Sequence, residues 1–129
     1  MRNIKLFEDF NNQESISNLI SEIRDICLEL NHEYIYTECE HHPQRGRNRE
    51  FISLGLEKSD LEDYNDDLKW HQVSDVITRV IDYLESQGWK NSYIIIDGES
   101  HQDTKDLIYN MSHKDDYSFY GMTLHFVRS

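Results

Sequence analysis

Apolar residues recur with the spacing of one helix face in two separate parts of the chain. The first stripe contains Ile16, Leu19, Ile20, Ile23, Cys27 and Leu30, and the second contains Val73, Val76, Ile77, Val80, Ile81 and Leu84. Each stripe alternates with polar residues, which predicts an amphipathic helix that covers a core. Asn11 followed by Glu14 resembles a capping box, so we expect the first helix to begin near residue 12. Gly88 stands where we expect the second helix to end.

Four shorter segments have the composition or the alternation of β-strands. They are Tyr34 to Thr37, Ile52 to Leu56, Tyr93 to Ile96 and Tyr120 to Phe126. The pair Asp97-Gly98 is typical of a turn that ends the third strand. A short third helix is predicted between the last two strands, from Leu107, Ile108 and Met111, with Asp103 or Thr104 as its cap.

The order of these elements predicts an α+β fold. We expect a mainly antiparallel four-stranded sheet, with two long amphipathic helices on one face and a short third helix. One core is expected to contain Ile20, Ile23, Ile77, Val80, Ile81, Ile95 and Leu124.

Composition limits the classes of function. The chain has 129 residues, enough for one domain, and 25 acidic against 13 basic residues give a formal charge of -12. This charge argues against a general nucleic-acid binder or an anionic-membrane binder, because phosphates are repelled. No apolar run is long enough to span a bilayer, and the two cysteines, Cys27 and Cys39, form no CxxC motif. These features favour a cytoplasmic protein in a reducing environment.

The first ten residues, MRNIKLFEDF, are set apart from a domain expected over residues 11–129. They contain a Lys, a hydrophobic-aromatic pair, an acid and a Phe. This segment resembles the openings of many proteins of large tailed bacteriophages, including those whose N-terminal peptide directs them into the capsid. The resemblance implies a phage-encoded protein of the host cytoplasm or of the virion. The alternative is a short amphipathic helix docked on the core, followed by a hinge at residues 11–13.

The loop after the first predicted strand has two chemical interpretations besides a solvated hairpin. His41 or His42, Asn65 and His71 follow the order of the HNH nucleases, which they resemble superficially. That resemblance implies a water-activating His, an orienting Asn and a His that helps to hold a divalent metal. The second interpretation is an anion-binding patch, because three arginines fall within five residues. They are Arg45, Arg47 and Arg49.

The stretch from Glu57 to Asp67 carries the densest negative charge. Its candidate partner-binding residues are Asp60, Glu62, Asp63, Asp66 and Asp67. One interpretation is a solvated loop whose last acids, Asp66 or Asp67, cap the second helix. The other is a DNA-like surface, in which carboxylates occupy the positions of phosphates and block a nucleic-acid-binding protein. Small acidic phage inhibitors of restriction and CRISPR systems are similar in this respect.

The sequence therefore leads to two hypotheses of different classes. The preferred one is a non-enzymatic acidic interaction protein, without cofactor or metal, that binds a basic surface of a host nucleic-acid-handling protein. It would not bind nucleic acid or membrane directly. The alternative is a small metal-dependent nuclease that uses the histidine constellation, for which the net charge leaves little positive substrate path.

Overall fold

The computed structural model describes residues 2–58 and 67–129, with the side chains of residues 2–14, 32 and 33 left out of the description. Three helices and seven strands follow one another in this part of the chain. They are α1 (Arg2–Cys27), β1 (Ile35–His42), β2 (Phe51–Lys58), β3 (Leu68–Lys69), α2 (Trp70–Ser86), β4 (Trp89–Ile96), β5 (Glu99–His101), α3 (Thr104–Ser112), β6 (Ser118–Phe119) and β7 (Gly121–Arg128). None of the helices described is long and apolar enough to cross a membrane.

The main sheet is antiparallel and has five strands in the order β1-β2-β7-β4-β5. The last strand, β7, lies between β2 and β4, so these two run in the same direction and are joined through α2. The α+β class is confirmed, and the four predicted strands correspond to β1, β2, β4 and β7. The structure adds the short edge strand β5 and a separate two-stranded sheet of β3 and β6.

The N-terminal helix is longer than predicted. A single helix runs from Arg2 to Cys27, and a 3-10 turn over Leu28–Glu33 follows it. The expected start near residue 12 and the hinge at residues 11–13 are therefore wrong. Asn and Gln cost a helix only a few tenths of a kcal/mol each relative to Ala, and no Pro or Gly interrupts the segment.

The second helix begins later than predicted, because a tertiary contact decides its start. Leu68 and Lys69 form β3 with β6, and the Trp70 N–H donates to the Tyr117 carbonyl at 2.9 Å. The Lys69 N–H donates to the Gln72 side chain at 3.0 Å, so neither Asp66 nor Asp67 occupies the N-cap position.

The predicted end of the second helix and the predicted cap of the third are confirmed. Gly88 follows α2 with a φ of +87°, and the Asp103 side chain caps α3 by accepting from the Asp106 N–H.

One side of the sheet packs against α1 and α2 and forms the core. Alternate residues of β2 and β7 are buried there, for example Leu54 and Leu124, together with Ile23 of α1 and Ile77 of α2. Ile95 was expected in this core, and that expectation is wrong. Side chains of a strand alternate between its two faces. The neighbours Ile94 and Ile96 are buried in the core, so the half-buried Ile95 side chain lies on the opposite face.

Both cysteines are free and buried against the same core. Burial raises the pKa of the Cys27 thiol to about 11 and that of the Cys39 thiol to about 12. The two thiols are therefore protonated near neutral pH and act as small apolar side chains.

The two faces of the sheet predict different costs for truncating isoleucine. Ile77→Ala should lower the free energy of unfolding by about 2–5 kcal/mol, because it leaves a cavity in the core. Ile95→Ala should cost less than about 1.5 kcal/mol, because that side chain is only half-buried. Urea titration followed by tryptophan fluorescence measures both. Equal losses in the two variants would contradict this assignment of faces.

Candidate functional site

The candidate site is the side of the main sheet that faces away from α1 and α2, which we call the open face. It consists of the residues that alternate with the buried ones in β1, β2, β7 and β4. These residues are exposed or half-buried along all four strands. Because one face of an antiparallel sheet can remain in contact with water, the side chains on the open face are available to a ligand.

Four aromatic and imidazole rings cross the open face in one continuous stack, which we call the ring row. His42 of β1 stacks on Phe51 of β2 with ring centroids 4.3 Å apart, and Phe51 stacks on His125 of β7 at 4.5 Å. His125 in turn stacks on Tyr93 of β4 at 4.3 Å. The planes are inclined by only 12–26° to each other. One ring comes from each strand, so the ring row joins the four long strands of the sheet through side-chain contacts.

Serine hydroxyls hold the two histidines of the ring row. The Ser92 hydroxyl lies 2.6 Å from Nδ1 of His125, and the Ser53 hydroxyl lies 3.2 Å from Nε2 of His42. Ser92 falls at the irregularity between Asn91 and Tyr93 in the pairing of β4 with β7. Burial lowers the pKa of His125, and the nearby His42 lowers it further. The imidazole of His125 is therefore neutral near pH 7.

Carboxylates occupy the open face beside the ring row. Glu38 and Glu40 are exposed two residues apart on β1, and Glu57 is exposed on β2. A hydrogen bond and charge repulsion from Glu40, with a smaller repulsion from Glu57, raise the pKa of Glu38. The three side chains therefore form one negative field, in which each carboxylate repels the others.

A shallow depression of about 230 Å³ adjoins these carboxylates. Tyr36, Glu38 and Ile95 are among the residues that line it, and so are Gly55 of β2 and Gly121 of β7. A Cβ atom at either glycine would meet its nearest neighbours at 3.6 Å or more, so no backbone packs closely over them. The depression exists because the two glycines have no side chains to fill it. The Tyr36 ring and the Glu38 carboxylate are both among its lining groups.

The predicted acidic site lies mostly outside the described residues. Asp60, Glu62, Asp63 and Asp66 belong to the stretch 59–66, of which nothing is described. Asp67 accepts a hydrogen bond from the Ser118 side chain, which lowers the pKa of Asp67. Asp67 is thus engaged with the β3–β6 pair.

The arginine loop connects β1 to β2 next to the ring row. Arg45, Arg47 and Arg49 are all exposed. Reciprocal backbone hydrogen bonds between Arg45 and Asn48 close a tight turn, and Gly46 has a φ of +57° there. The loop therefore projects three guanidinium groups from the end of the sheet at which His42 pairs with Phe51.

The histidines of the nuclease hypothesis do not converge. His41 and His42 are consecutive on β1 and point to opposite faces of the sheet. His41 Nε2 lies 2.8 Å from a carboxylate oxygen of Glu50, and Glu50 also pairs with Arg128. The Arg128 guanidinium lies 4.6 Å from the ring centroid of Trp89. His41 thus belongs to a charge cluster on the helix side, and His42 belongs to the ring row.

His71, the remaining described residue of that hypothesis, is exposed in the first turn of α2. This turn follows β3, which pairs with β6 just before β7 begins. The start of β7 pairs with Glu57 at the end of β2, whereas His41 and His42 pair with the beginning of β2. An eight-residue strand is roughly 23 Å long, so His71 lies toward the opposite end of the sheet. Asn65 falls outside the described residues, and among those described no three metal-ligating side chains are grouped to hold an ion.

The segment after β4 is structural, as the sequence indicates. Asp97 and Gly98 both have positive φ and form the two-residue turn between β4 and β5. Oδ1 of Asp97 also accepts the N–H groups of Tyr120 at 2.8 Å and Gly121 at 3.0 Å. The Asp97 carboxylate therefore anchors the start of β7 to this turn.

Of the ring row, only His42 is among the residues that the sequence singles out, and there as a candidate of the nuclease hypothesis; the other three rings and the stack itself are not predicted. Its signal in the sequence is the presence of Phe51 and His125 at positions that alternate with the apolar core residues of their strands. Alternation indicates that both side chains face away from the core. It gives neither the strand order nor the register that brings them within stacking distance.

The state of His125 predicts a pH dependence of stability. Its pKa in the folded protein lies below the value of 6.5 for an unperturbed histidine. The unfolded chain therefore binds more protons between these two values, and stability should decrease as the pH falls below about 6.5. Urea titrations at about pH 7.5 and about pH 5.5 measure this loss.

His125→Gln should reduce the loss of stability between these two pH values. His71→Gln, which changes an exposed histidine of α2, should leave it as in the parent protein. An identical loss in the parent protein and in both variants would contradict the role given to His125.

Comparisons with known proteins add no constraint. No protein-family model matches the chain, and no curated protein or solved structure shows significant similarity to it. The chemistry of the open face therefore rests on its own residues.

Proposed function

We propose that the chain is a non-enzymatic interaction protein whose open face binds a basic, arginine-rich surface of another protein. The observation that carries this proposal is that exposed carboxylates and a row of stacked rings share one sheet face, which neither α1 nor α2 covers. Carboxylates bind guanidinium groups through charge-assisted hydrogen bonds, and aromatic faces attract the same groups by cation–π contact. Arginine is the side chain that can make both the hydrogen bonds and the cation–π contact.

The position of the carboxylates gives the proposal its geometry. Glu38 and Glu40 have one residue between them on β1, so they lie about 6.6 Å apart along the strand. Tyr36, on the same face of β1, has 51% of its surface exposed. An arginine that paired with Glu38 would therefore have a ring beside it on which to stack.

The open face is proposed to bind a protein, and nucleic acid is disfavoured. Aromatic rings on a sheet can stack with nucleic-acid bases, so the ring row by itself is compatible with either partner. The phosphates that accompany the bases would approach Glu38, Glu40 and Glu57 on the same face, within a protein of formal charge -12. Charge repulsion therefore favours a cationic partner.

Surfaces rich in arginine are typical of proteins that bind nucleic acid. We therefore infer that the partner is a nucleic-acid-handling protein, and that the open face occupies its basic surface in place of nucleic acid. The resemblance of the first ten residues to phage proteins supports a host protein as the target. We therefore propose that the encounter takes place in the host cytoplasm, and a virion-associated form is compatible with this proposal. We also propose that the acids predicted from the sequence in the stretch 57–67 contribute to binding of the same partner.

Charge reversal on the open face should abolish partner binding. Three baits are incubated with a bacterial lysate treated with nuclease. They are the parent protein, the open-face variant Glu38→Lys with Glu57→Lys, and the control variant Asp82→Lys with Glu85→Lys. The control changes the charge equally at exposed sites of α2. Proteins retained by the parent and by the control, but lost by the open-face variant, should be released as ionic strength rises.

Three results would contradict this proposal. The first is equal retention of a protein by both charge-reversed baits, and the second is retention that does not change between low and physiological salt. The third is binding of labelled single-stranded DNA by the parent protein that is lost in Phe51→Ala. That result would make the open face a nucleic-acid site.

The nuclease hypothesis has a direct test. Supercoiled plasmid should remain intact with the purified protein and Mg²⁺, Mn²⁺ or Zn²⁺, because His41 and His42 face opposite sides of the sheet. Agarose electrophoresis detects nicking. Metal-dependent nicking that disappears in His41→Ala or His42→Ala would replace the proposed function with an enzymatic one.

A further inference from the structure

The three arginines of the arginine loop have no charged partner in the part of the chain that the structure describes. Arg45, Arg47 and Arg49 are exposed, and no described carboxylate lies within ion-pair distance of them. By contrast, Arg79 and Arg128 each pair with a glutamate. The three loop guanidinium groups are therefore available to carboxylates that do not belong to their own copy of the chain.

The backbone fixes the shape in which the arginine loop projects from the sheet. Reciprocal hydrogen bonds between Arg45 and Asn48 make Gly46 and Arg47 the two central residues of a tight turn. The φ of +57° at Gly46 suits such a turn. Arg47 therefore lies at the tip, with Arg45 and Arg49 on the two arms. Because the turn is already formed, ordering it on binding costs little conformational entropy.

The depression on the open face has the opposite charge. Glu38, Glu57 and Asp97 line it beside the Tyr36 ring, and no described basic residue is among its lining groups. An arginine that entered it would meet carboxylates for charge-assisted hydrogen bonds and a ring for cation–π contact. The depression is concave and the tip of the arginine loop is convex, so the two surfaces are complementary in shape as well as in charge.

The arginine loop and the depression lie at opposite ends of the main sheet. Tyr36, which lines the depression, is near the start of β1, and His42 ends β1 just before the loop. The stretch of strand from Tyr36 to His42 is roughly 20 Å long. The Arg45–Asn48 hydrogen bonds keep the loop from folding back over that distance. Only a second copy of the chain can therefore bring an arginine loop into the depression.

We infer that the arginine loop of one copy binds in the depression of the next, so that copies of the chain associate head to tail. This inference rests on the proposed function, because it uses the affinity of the open face for arginine. The two contacting surfaces are different, so each complex keeps one free arginine loop and one free open face at its ends. At physiological ionic strength, charges more than about 8 Å apart are largely screened. The formal charge of -12 on each copy therefore does not outweigh the local attraction.

Head-to-tail association would cover the surface that we propose for the partner protein. The arginines of a neighbouring copy and those of the partner would compete for Glu38 and Glu57. The associated form would thus hold the open face in reserve, and a partner that bound more tightly would release single copies.

Neutralising either surface should weaken self-association. Sedimentation equilibrium at physiological salt compares the parent protein, the loop variant Arg47→Gln with Arg49→Gln, and the face variant Glu38→Gln with Glu57→Gln. The average mass of the parent should rise above that of a single copy as its concentration increases. Each variant should associate about tenfold more weakly, because charge-assisted hydrogen bonds are lost.

A matched control separates this contact from a general effect of charge. Lys105→Gln with Lys114→Gln removes the same number of positive charges as the loop variant, at exposed positions in and just after α3. This control variant should associate as strongly as the parent protein.

Mixing the two weakened variants tests the direction of the contact. The loop variant keeps an intact open face, and the face variant keeps an intact arginine loop. An equimolar mixture should therefore form a complex of two copies with the affinity of the parent contact. It should not grow further, because the remaining loop and the remaining open face are both neutralised.

The other outcomes separate this inference from the proposed function. A parent protein that stays a single copy at every concentration would overturn the inference and leave the proposed function to the lysate experiment. Unchanged association in either variant, equal weakening in the control, or no complex in the mixture would also overturn it. As a bait, the loop variant should retain the proteins that the parent retains. Their loss would contradict the proposed function instead, because the partner would then bind the arginine loop.

Discussion

The burial of one face of the sheet is the constraint on which the rest of this structure depends. Leu54 of β2, Leu124 of β7 and Ile94 of β4 lie against the helices with no more than 1% of their surface exposed. A strand alternates its side chains, so this burial simultaneously directs Gly55, Thr123 and Ile95 to the other face. A shift of one residue in register would exchange the two sets, at the cost of the whole core. The stability of the core thus maintains the chemistry of the open face.

The position of β7 turns four separate rings into one row. β7 is the last strand in the chain, yet it lies between β2 and β4, where the Asp97 carboxylate anchors its first residues. His125 therefore lies between Phe51 and Tyr93 and bridges rings that come from distant parts of the sequence. The same insertion sets Gly121 opposite Glu57, and the absence of a side chain at Gly121 opens the depression on the acidic side of the face.

Local sequence determined those features that depend on neighbouring residues. The apolar stripe of α2, the glycine after it, the Asp97-Gly98 turn and the Asp103 cap are all readable because each has its cause within a few residues. The start of α2 at Trp70 and the short strands β3 and β6 depend on pairing between distant segments, which local propensity does not encode. The same limit applies to the site. The sequence shows an acidic chain with several histidines, and it indicates that Phe51 and His125 face away from the core. Only the strand order and register place those rings in contact and bring Glu57 of β2 beside Glu38 of β1 on the open face, because these relations arise between segments that are far apart in the chain.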